Sequence, residues 1–313
     1  MKDRTILWIF LAFTLGFTLP VCSCVGTGLL TMTLMGRMAG PGERTAVTGD
    51  AVGVIRLDGT IHSAPEDYAF AWGITPEHTA RLLKQAAVNP NIKAVVVHIN
   101  SSGGSVVASD RIYHMLLDFE KPVVIWMDEM AASGGYYIAC GGDYVFAHPS
   151  TLTGSIGVIS RFLRVQELMD KVGVEAEVIA SGPGKDIGSP FREMTDEERA
   201  LWKGIINETY DGFVEVVAQA RHLPLERVRE LADGRIYTGR QALEAGLVDA
   251  VGTLDDAIAK AAELGGITGK PEVIELKSEP GLLEMLYGLQ AHTPALEELL
   301  RLGEVPVLEF RAR

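Results

Sequence analysis

Met130-Ala131-Ala132-Ser133-Gly134-Gly135-Tyr136-Tyr137-Ile138-Ala139 sets one serine among small residues where a strand pattern passes into a helix pattern. A nucleophile fits there. The helix start offers free N–H groups and the positive end of the peptide dipole, and the flanking Ala and Gly let another backbone approach the hydroxyl. The same residues also suit an ordinary helix cap, so the motif alone leaves both readings open. Serine at its usual pKa is a weak nucleophile and needs a base and an oxyanion site. Asn100-Ser101-Ser102-Gly103-Gly104-Ser105 follows an apolar run and exposes N–H groups at a second helix start, which suits an oxyanion loop in which Gly103 and Gly104 would join Gly134. Taken singly it is also a plain strand-to-helix turn.

The base is either a histidine or a lysine. Of the seven histidines, His98 falls inside a buried strand pattern and His114 inside a helix, while His62, His78, His222 and His292 sit in surface-like contexts. That leaves His148, in the loop after a strand. The lysine candidate is Lys185, held in the Gly- and Pro-rich loop Ser181-Gly182-Pro183-Gly184-Lys185-Asp186-Ile187-Gly188-Ser189-Pro190. To accept a proton near neutrality an amine must lose about three pKa units, which a dry site free of carboxylates can supply. Ser155, in the turn Thr153-Gly154-Ser155-Ile156-Gly157-Val158, is placed to hold such an amine by one hydrogen bond. Two familiar motifs fail. The segment around Ser133 lacks the first Gly of G-x-S-x-G, and the Lys185 loop lacks the leading Gly and trailing Ser/Thr of a phosphate loop.

These residues need a frame. Ala51–Leu57, Ala94–Ile99, Pro122–Met127 and Tyr144–Ala147 read as strands, with helices at Pro76–Ala87, Val106–Phe119 and after Ser133. Strand and helix in alternation predict a parallel sheet with loops gathered at the carboxyl ends of the strands. Beyond it the pattern predicts a helix at Phe162–Val172, a strand at Glu175–Ile179, a long helix from Thr195 behind an acidic cap, a strand near Val273–Leu276, a helix near Leu282–Leu289 and an extended apolar stretch at Val305–Arg311. That last stretch would serve as a closing strand, a subunit contact, or a self-substrate laid on an exposed strand edge.

The net charge of -13 over 313 residues, without a basic cluster, argues against nucleic acid as a partner. Cys22, Cys24 and Cys140 cannot build a disulfide framework or a zinc site, and no cofactor or metal is expected. No charged residue occurs from Thr5 to Gly36. That length spans a bilayer, which takes roughly 20 residues. Lys2 and Arg4 before it place the N-terminus in the cytoplasm and the body on the outer face. A cleaved signal peptide is the rival, and the renewed apolar run Gly28–Met35 speaks against it. The expected organisation is an anchor at 1–37, a linker at 38–50, a catalytic domain at 51–270 and a C-terminal extension at 271–313.

Together, the Gly103-Gly104 loop, the Ser133 segment, the Ser155 turn, the Lys185 loop and Gly234–Asp249 resemble the short form of the signal peptide peptidase A family of serine peptidases, from about Ala51 to Ala262. The resemblance implies Ser133 as nucleophile, Lys185 as general base, Ser155 as the residue positioning that lysine, and Gly103-Gly104 as the oxyanion loop. It implies a Clp protease/crotonase-like spiral of parallel strands with flanking helices, a membrane anchor, and a homo-oligomeric ring in which serine and lysine can meet across a subunit boundary. Its substrates would be remnant signal peptides and other unfolded polypeptides. Ser102 stands where the family usually has Pro, and Asp128 and Glu129 are unexpected acids ahead of the nucleophile, able to raise the lysine's pKa if near it. Two rivals remain at this stage: a Ser133/His148 peptidase of the Clp type, and a catalytically silent membrane scaffold on the same fold.

Overall fold

The computed structural model describes residues 49–63, 73–277 and 309–311. The expected anchor, nearly all of the linker and the helix expected near Leu282 lie outside the described residues. No helix among the described residues is long and apolar enough to cross a membrane.

The first half runs β1 (Ala51–Asp58), α1 (Pro76–Val88), β2 (Ile92–Ser101), β3 (Gly103–Ser105), α2 (Val106–Leu117), β4 (Val123–Ala132), α3 (Gly134–Ala139), β5 (Tyr144–Ala147) and β6 (Leu152–Gly154). The second runs α4 (Gln166–Val172), α5 (Asp196–Arg221), α6 (Leu225–Leu231), β7 (Ile236–Thr238), α7 (Gly239–Ala245), β8 (Ala250–Val251), α8 (Leu254–Leu264), β9 (Glu272–Leu276) and β10 (Glu309–Arg311). The main sheet has the order β7-β6-β4-β2-β1-β9, with β5 beside β4 and β8 beside β5. Its pairings are parallel except β6 with β7.

Continuous apolar strands of this kind are buried on both faces, and their side chains alternate between two cores. Val52, Val54, Ala94, Val96 and Val124 pack with Ala257 and Ala261 of α8. Ile55, Val95, Val97 and Ile125 point the other way, into the larger core with Leu82 of α1, Ile112 of α2 and Ile138 of α3. That second core carries the site.

β4 runs five residues past the expected Met127, because it changes partner on the way. Val124 to Met127 pair with β5, and Met130 to Ala132 pair with β6. At the change the buried Thr151 hydroxyl is shared between the carbonyls of Met127 and Asp128, giving both acceptors a partner where the ladder is interrupted. The expected strand at Glu175–Ile179 does not form; the segment is irregular and exposed throughout. No sheet edge meets it, and a short apolar run becomes a strand only where a neighbour supplies the ladder. The helix expected from Phe162 begins only at Gln166 and buries none of its residues. α5 starts as its sequence predicts: the Thr195 hydroxyl accepts from the Glu198 N–H, and the Glu198 carboxylate accepts from the Thr195 N–H.

The resembling segment Gly234–Asp249 turns out to be a brace. The Asp249 carboxylate accepts from the Val145 N–H and from both terminal nitrogens of Arg221, whose side chain is nearly buried, and so ties α5 to β5. The Tyr136 hydroxyl donates to the Leu247 carbonyl, fixing α3 to the same segment.

Candidate active site

Ser133 lies between β4 and α3 with φ 55° and ψ -115°. For a residue with a Cβ this is outside the ordinary wells, the kind of strain a structure holds where a side chain must be aimed. Two clamps impose it. The Ser133 N–H donates to the Gly154 carbonyl at 2.7 Å, and the Ser133 carbonyl accepts from the Tyr137 N–H at 2.9 Å as the first turn of α3. The residue is 1% exposed, and its hydroxyl has no hydrogen-bond partner. It does not cap the helix. The cap reading that the sequence left open therefore fails, and a buried hydroxyl is left with its capacity unspent.

The Gly103-Gly104 edge faces it. A Cβ added to Gly103, whose φ is +97°, would fall 2.7 Å from the Gly134 nitrogen. One added to Gly134 would fall 3.2 Å from the Gly103 Cα and 2.6 Å from the Ser109 hydroxyl. Two glycines at this contact let the start of α3 touch β3, backbone to backbone. The Gly103 N–H is occupied, donating to the Ser101 hydroxyl at 3.1 Å. The Ser109 hydroxyl donates to the Ser105 carbonyl at 2.9 Å and locks the first turn of α2 beside the loop. Neither Ser101 nor Ser109 stood out in the sequence, since each fits an ordinary strand end or helix turn.

Ser155 joins the group. Its neighbour Gly154 pairs with Ala132, which puts Ser155 next to Ser133. It has φ 50°, is nearly buried, and its N–H donates to the Arg235 carbonyl at 2.8 Å. Lys185 is not brought in: it is exposed, in a run of turns after the exposed segment. The neighbouring carboxylate is committed elsewhere. Arg192 donates through Nε and a terminal nitrogen to the two oxygens of Asp186, each at 2.8 Å, and also grips Glu198 at the start of α5. These hydrogen bonds hold the Asp186 carboxyl below its ordinary range.

His148 is exposed, and its Nδ1 accepts from the Ser150 N–H at 3.2 Å. No contact links it to Ser133. Asp128 is engaged by His98, whose Nε2 lies 3.0 Å away and whose Nδ1 meets Arg56 at 2.7 Å. Among the described residues no group of His, Cys, Asp and Glu could hold a metal ion. The Cys140 thiol is pushed up to about 12 by burial, far from a reactive thiolate.

The α/β fold with its mostly parallel sheet is of the Clp-protease-like class. The Clp protease sequence profile matches residues 71–153, and that of peptidase family S49 matches residues 115–268. Among relatives, a Synechocystis protein named "Putative protease slr0021" is 43% identical over 67% of this chain and 77% of its own. Protease 4 of Salmonella typhi is 37% identical over 77% of this chain and 39% of its own, and Arabidopsis thaliana "Serine protease SPPA, chloroplastic" is 31% identical over 83% and 40%. The chain thus spans well under half of the last two. It belongs to peptidase family S49.

Proposed function

We propose that this protein is a membrane-anchored serine endopeptidase of the signal peptide peptidase type, with Ser133 as nucleophile and Lys185 as general base. The buried, strained and unpartnered Ser133 hydroxyl carries the reading. A structure retains such a feature when the group serves chemistry rather than stability. Ser133 Oγ would attack a peptide carbonyl while neutral Lys185 takes its proton. The Gly134 N–H, at the dipole end of α3, and the Gly103-Gly104 edge would face the oxygen as charge develops, and the protonated lysine would then hand its proton to the leaving amine. Ser155, beside Ser133, is the residue that would hold the amine on target.

In a single chain Ser133 lacks its base. We infer that Lys185 arrives from a second copy in a homo-oligomeric ring. The segment bearing it supports this: Leu168, Val172, Val174, Val178 and Ile179 expose 51% to 92% of their surface, an apolar stretch that a neighbouring subunit would cover. Arg192 supports it too, since by holding Asp186 it keeps the adjacent carboxylate from pairing with the lysine and raising its pKa. The charge-free stretch from Thr5 to Gly36 would anchor the chain, N-terminus in the cytoplasm and peptidase body on the outer face, with remnant signal peptides and unfolded polypeptides as substrates.

Co-assembly tests the shared site. Ser133→Ala and Lys185→Ala are each expected to be inactive alone, and oligomers mixed from the two should regain peptide cleavage. Mixed oligomers that stay inactive while each variant assembles normally would place both residues in one subunit.

A further inference from the structure

His98 is a buried titratable side chain that the proposed chemistry does not use. It is 2% exposed and stands on β2, opposite Arg56 of β1 on one side and Trp126 of β4 on the other. Its Nδ1 lies 2.7 Å from a terminal nitrogen of Arg56, and its Nε2 lies 3.0 Å from the Asp128 carboxylate. A guanidinium can only donate, so Nδ1 accepts, the ring proton sits on Nε2, and that proton is donated to Asp128. Glu275 of β9 accepts from the Arg56 Nε at 2.8 Å and aims the guanidinium from its other end. Four strands thus carry one chain of hydrogen bonds, Glu275–Arg56–His98–Asp128, whose direction the arginine fixes.

That chain ends on a step in β4. Ile99 pairs with Met127 and Ser101 pairs with Ala131, so β2 advances two residues while β4 advances four. Residues 128–130 therefore bulge out of the ladder with β2, at the point where β4 leaves β5 for β6. A bulge bends its strand and re-aims the side chains beyond it. Beyond this one come Ala131, Ala132 and Ser133, with Ala132 paired to Gly154 and the Ser133 N–H on the Gly154 carbonyl. Two side chains pin the bulge. Thr151 holds its backbone through the Met127 and Asp128 carbonyls, and His98 holds its first side chain from β2. Without a pin the extra residues could slip along the ladder, and a slip of one residue turns every following side chain to the other face.

We propose that His98 and Asp128 are positioning residues for the reaction: their hydrogen bond sets the register of the β4 bulge and through it the aim of the Ser133 hydroxyl, with Arg56 imposing the tautomer that makes the bond. The proposal rests on Ser133 being the nucleophile. It also gives Asp128, an unexpected acid ahead of that serine, a role within the sheet.

The test is Ser133-dependent peptide cleavage by the full-length, assembled protein. His98→Asn stops short of Asp128, and Asp128→Ala has no acceptor. Each should lower kcat about tenfold and leave KM within about twofold, because a loosened nucleophile leaves binding intact and reaches the attacking geometry less often. His98→Gln keeps an N–H within reach of Asp128, and Asp128→Asn keeps an acceptor oxygen, so both should stay within about threefold of wild type. The double variant His98→Asn/Asp128→Ala should be no slower than the slower single one, since both remove the same bond. His98 substitutions disturb the core, whereas the Asp128 side chain is 36% exposed, so the Asp128 pair tests the bond without that risk. Unchanged kcat in Asp128→Ala, conservative variants as slow as the deletions, or additive losses in the double variant would overturn the proposal. So would an Asp128→Ala protein that fails to fold or assemble, which would make the pair a plain stability element. Absence of Ser133-dependent cleavage in folded, assembled wild type would instead defeat the serine-peptidase reading, and this proposal with it.

Discussion

If Ser133 is kept for chemistry, removing it should make the protein more stable, and the size of the gain follows from two local features. The hydroxyl is buried without a partner. Leaving a buried polar group unpaired costs about 1–3 kcal/mol, and Ser133→Ala removes it with the loss of no hydrogen bond. The backbone, at φ 55° and ψ -115°, stores a further ~1–3 kcal/mol that Ala keeps and Gly releases, less about 0.5–1 kcal/mol for the freer unfolded glycine. Ser133→Ala should thus gain about 1–2 kcal/mol and Ser133→Gly somewhat more. In a domain of this size that is a rise of about 2–4 °C in Tm per kcal/mol. Calorimetry on the three proteins, at matched concentration so that assembly is held fixed, reads it directly. Loss of stability in Ser133→Ala by 1 kcal/mol or so would mean that the hydroxyl holds the structure together, and the strain argument would fail.

Gly104→Ala should abolish cleavage and destabilise the fold, because its Cβ would fall 1.9 Å from the Ile61 carbonyl oxygen. Relief breaks the paired bonds Ile61 N–H to Gly103 carbonyl and Ser105 N–H to Ile61 carbonyl, a loss of about 2–3 kcal/mol in denaturant titration; a change under 0.5 kcal/mol would contradict that packing. The Lys185 loop should be insensitive to mild acid. Arg192 holds Asp186 and Glu198 below the usual carboxylate range, so their contribution is full above that range and is lost progressively as pH falls from it through their lowered values. Hydrogen exchange across residues 182–192 should show constant opening free energy from pH 8 to about pH 5, and loosening within that window would refute the clamp.

Much of the fold was legible because its signals were local. The strands at Ala51, Ala94 and Tyr144 appear where their apolar runs predict, and the capping box at Thr195 starts α5. Ser133 and Ser155 follow β4 and β6, which pair in the main sheet, and Gly103 and Gly104 lie in the short β3 just past the end of β2, so motifs at neighbouring strand ends come together. What failed depended on partners. Glu175–Ile179 has strand composition but no edge to join, and α4 has an amphipathic pattern with nothing to bury against. Lys185 lies exposed in its own run of turns, and the sequence of such a loop carries no signal of what it packs against. The Phe310 strand is extended as its apolar pattern suggests, but that pattern leaves open which edge it joins, because pairing across some two hundred residues leaves no local trace.

Cleavage of a synthetic signal peptide by assembled wild type, Ser133→Ala, Lys185→Ala and His148→Ala tests the central claim most directly. The account predicts that losing either Ser133 or Lys185 lowers kcat by at least about 100-fold, and that His148→Ala, which removes an exposed side chain bonded to Ser150 of its own loop, stays within about twofold of wild type. Activity that survives Lys185→Ala and disappears with His148→Ala would contradict it and transfer the base to the histidine.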